Sequence, residues 1–174
     1  MKSPDPPTRA EFHEAISNRS DRWFAACLKI TRSRDLAEDA VQEALLTAWT
    51  KRHQFRHTAR LDTWIHRIAI NAALQLLRRS RPGVFEPLAD EVPGSVDEPE
   101  EAQAAREFDA ELRTAFGGLT EIERVCFVLK HLEQWRLKEI AAELDVKTDA
   151  VKQAVFRAVK KLRSSMHYLQ DNPT

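Results

Sequence analysis

The 174-residue chain is 43% hydrophobic and 31% charged, and it contains only four glycines. That composition supports a folded core and favours helix, so it excludes a wholly disordered chain. The formal net charge is zero, but the charges are unevenly distributed. Residues 51–81 contain eight Lys or Arg and one acid, and residues 147–163 contain six Lys or Arg and one acid. Between them, residues 86–111 contain ten acids and one Arg. A featureless solvated surface would intermix the signs, so this segregation indicates charged partners.

The sequence predicts neither a membrane span nor a secretion signal. The longest strongly apolar run, residues 68–77, is interrupted by Asn71 and Gln75, and a span requires about 20 apolar residues. The first residues, "MKSPDPPTRA", lack an apolar signal core, so we expect a cytoplasmic protein without membrane insertion. Cys27 and Cys126 stand apart from each other and from any Cys/His cluster. We therefore expect no metal site, no disulfide framework and no cofactor.

The positions of Pro and Gly divide the chain. All eight prolines lie within residues 4–7, within 82–99 or at 173, and the glycines lie at 83, 94, 117 and 118. Residues 8–81 and 119–172 are therefore free of both. We predict an all-α fold with two small helical domains, residues 8–81 and 106–168, joined by a flexible acidic linker, residues 82–105.

Three helices are predicted before the basic loop at residues 51–60. Thr8 and Glu11 have the spacing of a capping box, before a helix to about residue 16. Asp21 is placed to cap a second helix, to about residue 31, and Asp35 to cap a third. The apolar stripe of that third helix is predicted to be Leu36, Ala40, Val41, Ala44, Leu45, Ala48 and Trp49.

The segment "TWIHRIAINAALQLLRR", residues 63–79, predicts a further helix that begins at Asp62 or Thr63. Its predicted inner face consists of Trp64, Ile65, Ile68, Ala69, Ala72 and Leu76. A second face is polar, because spacings of four, four, four and three residues align Thr63, Arg67, Asn71, Gln75 and Arg78.

The second domain is predicted to carry a helix-turn-helix. Thr120 and Glu123 indicate another capping box, and the buried stripe after it is predicted to be Ile122, Val125, Cys126, Leu129 and Leu132. Trp135 is expected to pack on the domain core. The segments "RLKEIAAEL", "DVK" and "TDAVKQAVFRAVKKLR" then predict helix, tight turn and helix, with Thr148 as N-cap and Asp145 tolerating the left-handed turn. In such a motif the second helix can enter a major groove.

Four segments in one order carry a resemblance to a known family. They are "AEDAVQEALLTAW", then "TWIHRIAINAALQLLRR" preceded by Phe55, then "LTEIERVCFVLKHLE", and finally "KEIAAELDVKTDAVKQAVFRAVKKLR". Over nearly all of residues 10–165 the chain resembles the extracytoplasmic-function (ECF) sigma factors of bacterial RNA polymerase. The resemblance implies sigma region 2 in the first domain and sigma region 4 in the second. It also implies a protein without catalytic residues of its own, which binds core RNA polymerase, recognises two promoter elements and helps to open the duplex.

The resemblance implies that the acidic third helix binds polymerase. In this family the matching helix docks on the coiled coil of the polymerase clamp, and complementary charge would steer that docking. The alternative is a solvated helix face whose acids favour the helix dipole. The expected polymerase-binding residues are Asp35, Glu38, Asp39, Gln42 and Glu43.

The resemblance implies that the loop after Phe55 and the polar face of the helix at residues 63–79 bind the downstream promoter element as melted single strand. The loop would accept a flipped base, although residues 57–60 depart from the family's small and acidic residues. Asn71 offers both a donor and an acceptor to a base edge, the arginines are expected on phosphates, and Phe55 is expected to anchor the loop. The expected DNA-binding residues of this domain are Phe55, Arg56, His57, Thr58, Arg60, Thr63, Arg67, Asn71, Gln75, Arg78 and Arg79.

The second helix of the helix-turn-helix is expected on the double-stranded upstream element. Gln153 suits a base edge, and the Lys and Arg suit phosphate or guanine. The expected residues are Lys147, Thr148, Lys152, Gln153, Phe156, Arg157, Lys160 and Lys161. The resemblance further implies an anti-sigma factor as a partner and a linker whose acids mimic RNA in the polymerase channels. A plain solubilising tether is the alternative for that linker.

Other functions explain less of the chain. A helix-turn-helix regulator that acts without polymerase accounts for residues 120–163 but leaves the acidic helix and residues 63–79 without a role. Strong sequence-specific DNA binding by the free protein would favour it. A helical adaptor would not need two basic blocks. An enzyme is not supported, because the sequence has no phosphate loop, no nucleophile with a placed base and no metal-ligand spacing.

Overall fold

The computed structural model describes residues 5–86 and 114–171, and in those ranges the chain forms helices and turns without a strand. This confirms the predicted all-α fold. The chain separates into two compact units, Met1–Ser80 and Arg81–Thr174. Most of the predicted linker lies outside the described residues. The helices are α1 Arg9–Thr31, α2 Arg34–Thr50, α3 Leu61–Ser80, α4 Glu121–Phe127, α5 Leu137–Leu144 and α6 Thr148–Asp171.

Helices α1, α2 and α3 pack against one another around the core of the first unit. Trp23 and Ile30 of α1 and Ile65 and Leu74 of α3 belong to that core, all essentially without solvent exposure. Burying each such aliphatic side chain stabilises the fold by roughly 1.5–3 kcal/mol. The inner face of α2 is made of small side chains, which lets its neighbours approach closely: Ala37, Ala40, Ala44 and Ala48.

Helix α1 is continuous, so the prediction of two helices between residues 8 and 31 is wrong. The predicted capping box is present: Thr8 Oγ1 accepts from Glu11 N at 3.3 Å, and Glu11 Oε2 accepts from Thr8 N at 2.7 Å. That backbone hydrogen bond lowers the pKa of the Glu11 carboxyl. Asp21 is exposed in the helix interior rather than at a cap. No Pro or Gly interrupts this stretch, so the helix continues until Arg32 takes the left-handed conformation (φ 54°).

Ser33, and not Asp35, caps α2. The Ser33 side-chain oxygen accepts from Leu36 N at 3.3 Å, and its extended backbone (φ −135°, ψ 125°) is typical of an N-cap. Asp35 lies in the first turn, where its charge favours the helix dipole without making the cap.

Helix α3 begins at Leu61, one residue before Asp62, the earlier of the two predicted starts. It also buries a wider arc than predicted. Ile65, Ala69 and Ala72 face inward as expected, but three other predicted core residues are only half-buried: Trp64, Ile68 and Leu76. The remaining buried positions are Ile70, Ala73, Leu74 and Leu77. The buried arc is wide because α3 packs against both α1 and α2. A single apolar stripe along α3 could not face both of these helices.

In the second unit, the predicted capping box at the start of α4 is present. Thr120 Oγ1 accepts from Glu123 N at 3.4 Å, and Glu123 Oε2 accepts from Thr120 N at 3.1 Å. A π-helical turn, Val128–Leu132, extends α4. Leu132, a predicted core residue, is 44% exposed at its end, whereas Trp135 is buried as predicted.

The turn between α5 and α6 has the geometry of a Schellman motif. Asp145 takes the left-handed conformation (φ 54°, ψ 47°), as predicted, and Val146 N donates to Ala141 O at 3.0 Å. Lys147 O accepts from Val151 N at 3.3 Å. The N-cap of α6 is therefore Lys147, one residue before the predicted Thr148. None of the described helices combines the length and apolar character needed to cross a membrane.

Candidate functional site

The acidic face of α2 is presented to solvent. Asp35, Glu38, Asp39 and Gln42 are exposed and Glu43 is half-buried, because the alanine face on the opposite side of the helix packs into the core. Glu38 accepts from Arg34 Nε at 2.9 Å in an exposed pair, and Glu43 lies 3.9 Å from Arg79 Nη1 of α3. The structure therefore brings the predicted polymerase-binding residues together on one surface.

Two apolar side chains extend this acidic face. Leu46 is 70% exposed, and Trp49, predicted to be buried, is 40% exposed. Leu46 follows Gln42 by four residues and Glu43 by three, so it lies one turn further along the same face. That spacing could have identified Leu46 in the sequence. The Arg52 guanidinium lies 4.3 Å from the centroid of the Trp49 ring, a cation–π contact at the end of the surface.

The loop at residues 55–60 is anchored by Phe55, which is 7% exposed. The Phe55 ring lies 5.3 Å from the Trp64 ring and 4.5 Å from the His57 ring. His57 has a positive φ of 55°, and its Nε2 donates to Asp5 O at 3.1 Å. Phe55 is thus placed to hold the loop, while the side chains of Arg56, His57, Thr58 and Arg60 are exposed.

Asp62, at the start of α3, neutralises part of the charge beside this loop. Its oxygens accept from Arg19 Nε and Arg60 Nε, both at 3.1 Å, and its side chain is only 13% exposed. Burial raises the pKa of the Asp62 carboxyl, but the hydrogen bond and charge of Arg60, with the Thr63 N–H and Arg19, outweigh burial and lower it overall. Arg60 is therefore already paired with Asp62 before any DNA ligand binds.

The polar face of α3 is less open than its spacing predicts. Thr63, Gln75 and Arg79 are exposed, but Arg67, Asn71 and Arg78 are half-buried. The Asn71 Oδ1 atom is buried and has no hydrogen-bond partner among the described residues. A buried polar atom of this kind costs free energy unless a partner is supplied.

Helix α6 exposes a mixed basic, amide and aromatic surface. Lys152, Gln153, Phe156 and Arg157 line a shallow cavity of about 370 Å³, and Phe156 is 69% exposed. Lys152 pairs with Asp149 at 3.5 Å in a well-solvated contact. Of the other predicted residues, Lys147 and Lys160 are exposed and Thr148 is half-buried.

Arg157 and Lys161 differ from the other predicted DNA-binding cations, because both pair with a buried acid. Glu123 of α4 is 2% exposed, and its carboxylate accepts from Arg157 Nε at 3.0 Å and Lys161 Nζ at 2.7 Å. Burial raises the pKa of Glu123, but the Lys161 hydrogen bond, the Thr120 N–H and the Arg157 hydrogen bond lower it overall. The capping-box spacing identified Glu123 only as a helix cap, and no local signal predicted these two pairs.

Cys126, also on α4, is fully buried. Burial raises the pKa of its thiol to about 12. It is therefore a core residue without thiolate reactivity at neutral pH.

Comparisons with known proteins match both units of the chain. Residues 17–82 match the family Sigma-70 region 2, and residues 109–162 match the family Sigma-70, region 4. The ECF RNA polymerase sigma factor SigM of Mycobacterium tuberculosis is 30% identical over 157 residues, which cover 90% of this chain and 78% of SigM. SigW of Bacillus subtilis is 25% identical, with 91% of this chain and 90% of SigW covered.

SigG of Mycobacterium tuberculosis is 29% identical over 187 residues, covering 94% of this chain, and the chain spans about half (50%) of its length. Two solved structures share the fold at 20% identity. One is the sigma factor RpoE in complex with the anti-sigma factor NepR from Bartonella quintana, with a TM-score of 0.57 and coverage of 90% of this chain and 97% of RpoE. The other is CnrH in complex with the cytosolic domain of CnrY, with a TM-score of 0.56 and coverage of 92% and 90%. The matches to regions 2 and 4, together with the similarity to SigM along most of both chains, establish that this chain belongs to the ECF sigma factors of the sigma-70 family.

Proposed function

We propose that the chain binds core RNA polymerase through α2 and directs it to promoters through the first-unit loop, α3 and α6. The observation that carries this proposal is the separation of charge among the helices: α2 presents acids to solvent, whereas α3 and α6 carry the basic and amide side chains. Family membership supports the proposed activity, and the exposed residues of these helices indicate which surfaces would carry it out.

The polymerase-binding surface combines charge with apolar contact. Asp39 and Glu43 would steer the docking of a basic partner, and burial of the exposed Leu46 would add roughly 1.5–3 kcal/mol. Core polymerase is the partner that the family membership supports for this surface.

The loop at residues 55–60 and the polar face of α3 are proposed to bind the melted downstream element. Phe55 anchors the loop, and the exposed Arg56 is available to phosphates. Arg60 is also exposed, but part of its charge is offset by Asp62. A base that approached the Asn71 amide would supply the partner that its buried oxygen lacks.

Helix α6 is proposed to lie in the major groove of the upstream element. Gln153 can make a bidentate contact with adenine, and the exposed Phe156 ring can contact a thymine methyl group. Lys152 and Lys160 are placed for phosphates. This surface therefore favours an element that contains A·T pairs next to the Arg157 contact.

An anti-sigma factor is part of the same proposal. Both structural relatives were solved with a partner, NepR in one complex and the cytosolic domain of CnrY in the other. The exposed apolar and acidic residues of α2, above all Leu46, are what an inhibitor would have to cover to prevent docking on polymerase.

Pull-down with core polymerase followed by run-off transcription on genomic promoters tests this function. Asp39→Arg combined with Glu43→Arg should abolish both polymerase capture and transcription while leaving the helical circular-dichroism signal intact. Glu14→Arg with Asp21→Arg, two exposed positions of α1, is the matched control and should behave as wild type. Unchanged capture by the α2 variant would contradict the proposed surface.

Tight sequence-specific binding by the free chain, without polymerase, would instead favour a helix-turn-helix regulator. A sigma factor should bind its promoter tightly only together with core polymerase.

A further inference from the structure

The Glu123 carboxylate is buried against α6, the proposed DNA-binding helix. It projects from the first turn of α4, is 2% exposed, and each of its oxygens contacts one cation of α6. The two cations, Arg157 and Lys161, are four residues apart, so the carboxylate spans one turn of α6. Their own side chains are 40% and 43% exposed. They therefore reach from a buried acid to the outer surface of the helix.

These pairs differ from the other ion pairs on α6. Asp149, the partner of Lys152, is 84% exposed, and such a pair is screened by water and salt and constrains little. Glu123 is desolvated and also accepts from Thr120 N at 3.1 Å, so its carboxylate cannot turn away without leaving a charge buried and unpaired. The ion pairs of Glu123 with Arg157 and Lys161 are consequently part of the packing between α4 and α6.

The cluster changes the charge that α6 can give to DNA. Two cations share one carboxylate, so the group of three carries one net positive charge instead of two. Arg157 is held through Nε, which restrains the plane of its guanidinium at the cavity it shares with Gln153 and Phe156. A guanidinium restrained in this way makes oriented contacts at lower entropic cost.

We propose that Glu123 is a positioning residue for DNA binding: it orients Arg157 and Lys161 on α6 and withholds one positive charge from the phosphate backbone. The inference rests on the proposed function of α6. The inference predicts that the wild-type chain binds non-specific DNA more weakly than a chain without Glu123 would. In return, the side chains of Arg157 and Lys161 are held in a fixed orientation.

The test is the salt dependence of DNA binding by the full chain. Affinity for a labelled random-sequence duplex of about 20 base pairs is measured by fluorescence anisotropy across a series of salt concentrations. Glu123→Gln should steepen the slope of log K against log salt by about 0.9, the contribution of one further counterion, and should raise affinity at low salt. Contacts made by the first unit are the same in both proteins and cancel in the comparison.

Glu121→Gln is the matched control. Glu121 lies two residues away on α4 and is also largely buried, but it pairs with Arg81 and Arg124, neither of which lies on α6. Its replacement removes the same charge and should leave the slope at the wild-type value. Equal slopes for Glu123→Gln, Glu121→Gln and the wild type would overturn the inference. If the free wild type does not bind DNA, the same three slopes are compared for the holoenzyme on a promoter duplex, where the contacts made by core polymerase cancel. Failure of the wild-type holoenzyme to bind would overturn the proposed function as well.

If circular dichroism shows that Glu123→Gln does not fold, Lys161→Gln and Lys160→Gln provide the comparison in its place. Lys160 is exposed beside Lys161. Lys160→Gln should reduce the slope by about 0.9, whereas Lys161→Gln should reduce it by clearly less, because the charge it removes is already offset by Glu123. Equal reductions would overturn the inference.

Discussion

Asn71 has an amide oxygen that is buried and to which no residue within 5–86 or 114–171 donates a hydrogen bond. Ile70 and Ala72, on either side of Asn71 in the sequence of α3, and Leu74, three residues later, are buried apolar residues. An amide oxygen of this kind does not stabilise the free protein, because it has lost water and gained no donor from the part of the chain that the structure describes. A ligand that donates to this oxygen would remove the cost, which agrees with a role in reading a base.

Replacement of Asn71 by Leu therefore separates stability from function. The free energy of unfolding in urea should stay the same or rise by up to about 1 kcal/mol, because an unsatisfied polar group is replaced by an apolar group of similar size. Promoter preference in run-off transcription should change, while capture of core polymerase stays at the wild-type level. A loss of stability above about 1 kcal/mol would mean that the oxygen has a partner in solution.

The cap of α2 allows a second test on single residues. Ser33→Ala removes the acceptor for Leu36 N and should lower the free energy of unfolding by about 1 kcal/mol. Asp35→Ala removes only a favourable charge in the first turn and should cost about 0.3 kcal/mol in moderate salt. Urea titration of both variants measures the difference. Equal losses would contradict the assignment of Ser33 as the cap.

Helices α4 and α6 are joined by a buried carboxylate, which makes their packing sensitive to acid. Thr120, Arg157 and Lys161 all donate to Glu123, and together they lower the pKa of its carboxyl below the ordinary value of 4.5 despite burial. A group whose pKa is lower in the folded state stabilises the fold above its unfolded pKa. That stabilisation disappears as the pH falls through the folded pKa.

The second unit should therefore lose stability as the pH is lowered below about 4.5, and Glu123→Gln should reduce that loss. Urea unfolding followed by the indole NMR signal of Trp135 reports on this unit, because the other tryptophans, Trp23, Trp49 and Trp64, lie in the first. The same pH dependence in the variant and the wild type would show that other carboxylates cause the effect.

The proposed polymerase-binding and DNA-binding surfaces lie on two separately packed units. The first contains the acidic surface of α2 and the polar face of α3, and the second contains α6. Because each unit has its own buried core, a change on one surface should leave the fold of the other unit intact.

The acidic stretch between the units provides a test of how they work together. Deletion of residues 92–101 removes four acids and should lower transcript yield while promoter binding by the holoenzyme is retained, because both proposed DNA-binding surfaces remain. Gel-shift and run-off assays on the same promoter measure the two steps. Normal transcript yield would indicate that the stretch acts only as a tether.

Much of the fold follows from patterns that are local in the chain. The capping boxes at Thr8 and Thr120 each involve a partner three residues away, and the left-handed turn at Asp145 depends on one residue's backbone preference. The predicted break before Asp21 was wrong because a polar residue is compatible with an exposed helix interior, and nothing else in that stretch ends the helix.

The family, the two-domain division and the helices could be read from residue order, because helix period, caps and Pro or Gly breaks act over a few residues. Which charges remain available to a ligand depends on packing. Arg157 and Lys161 meet Glu123 across 34 and 38 residues, and Arg19 meets Asp62 across 43. Hydrogen bonds between such distant residues form only after the helices pack, so two apparent DNA-binding cations proved to be partners of a buried acid.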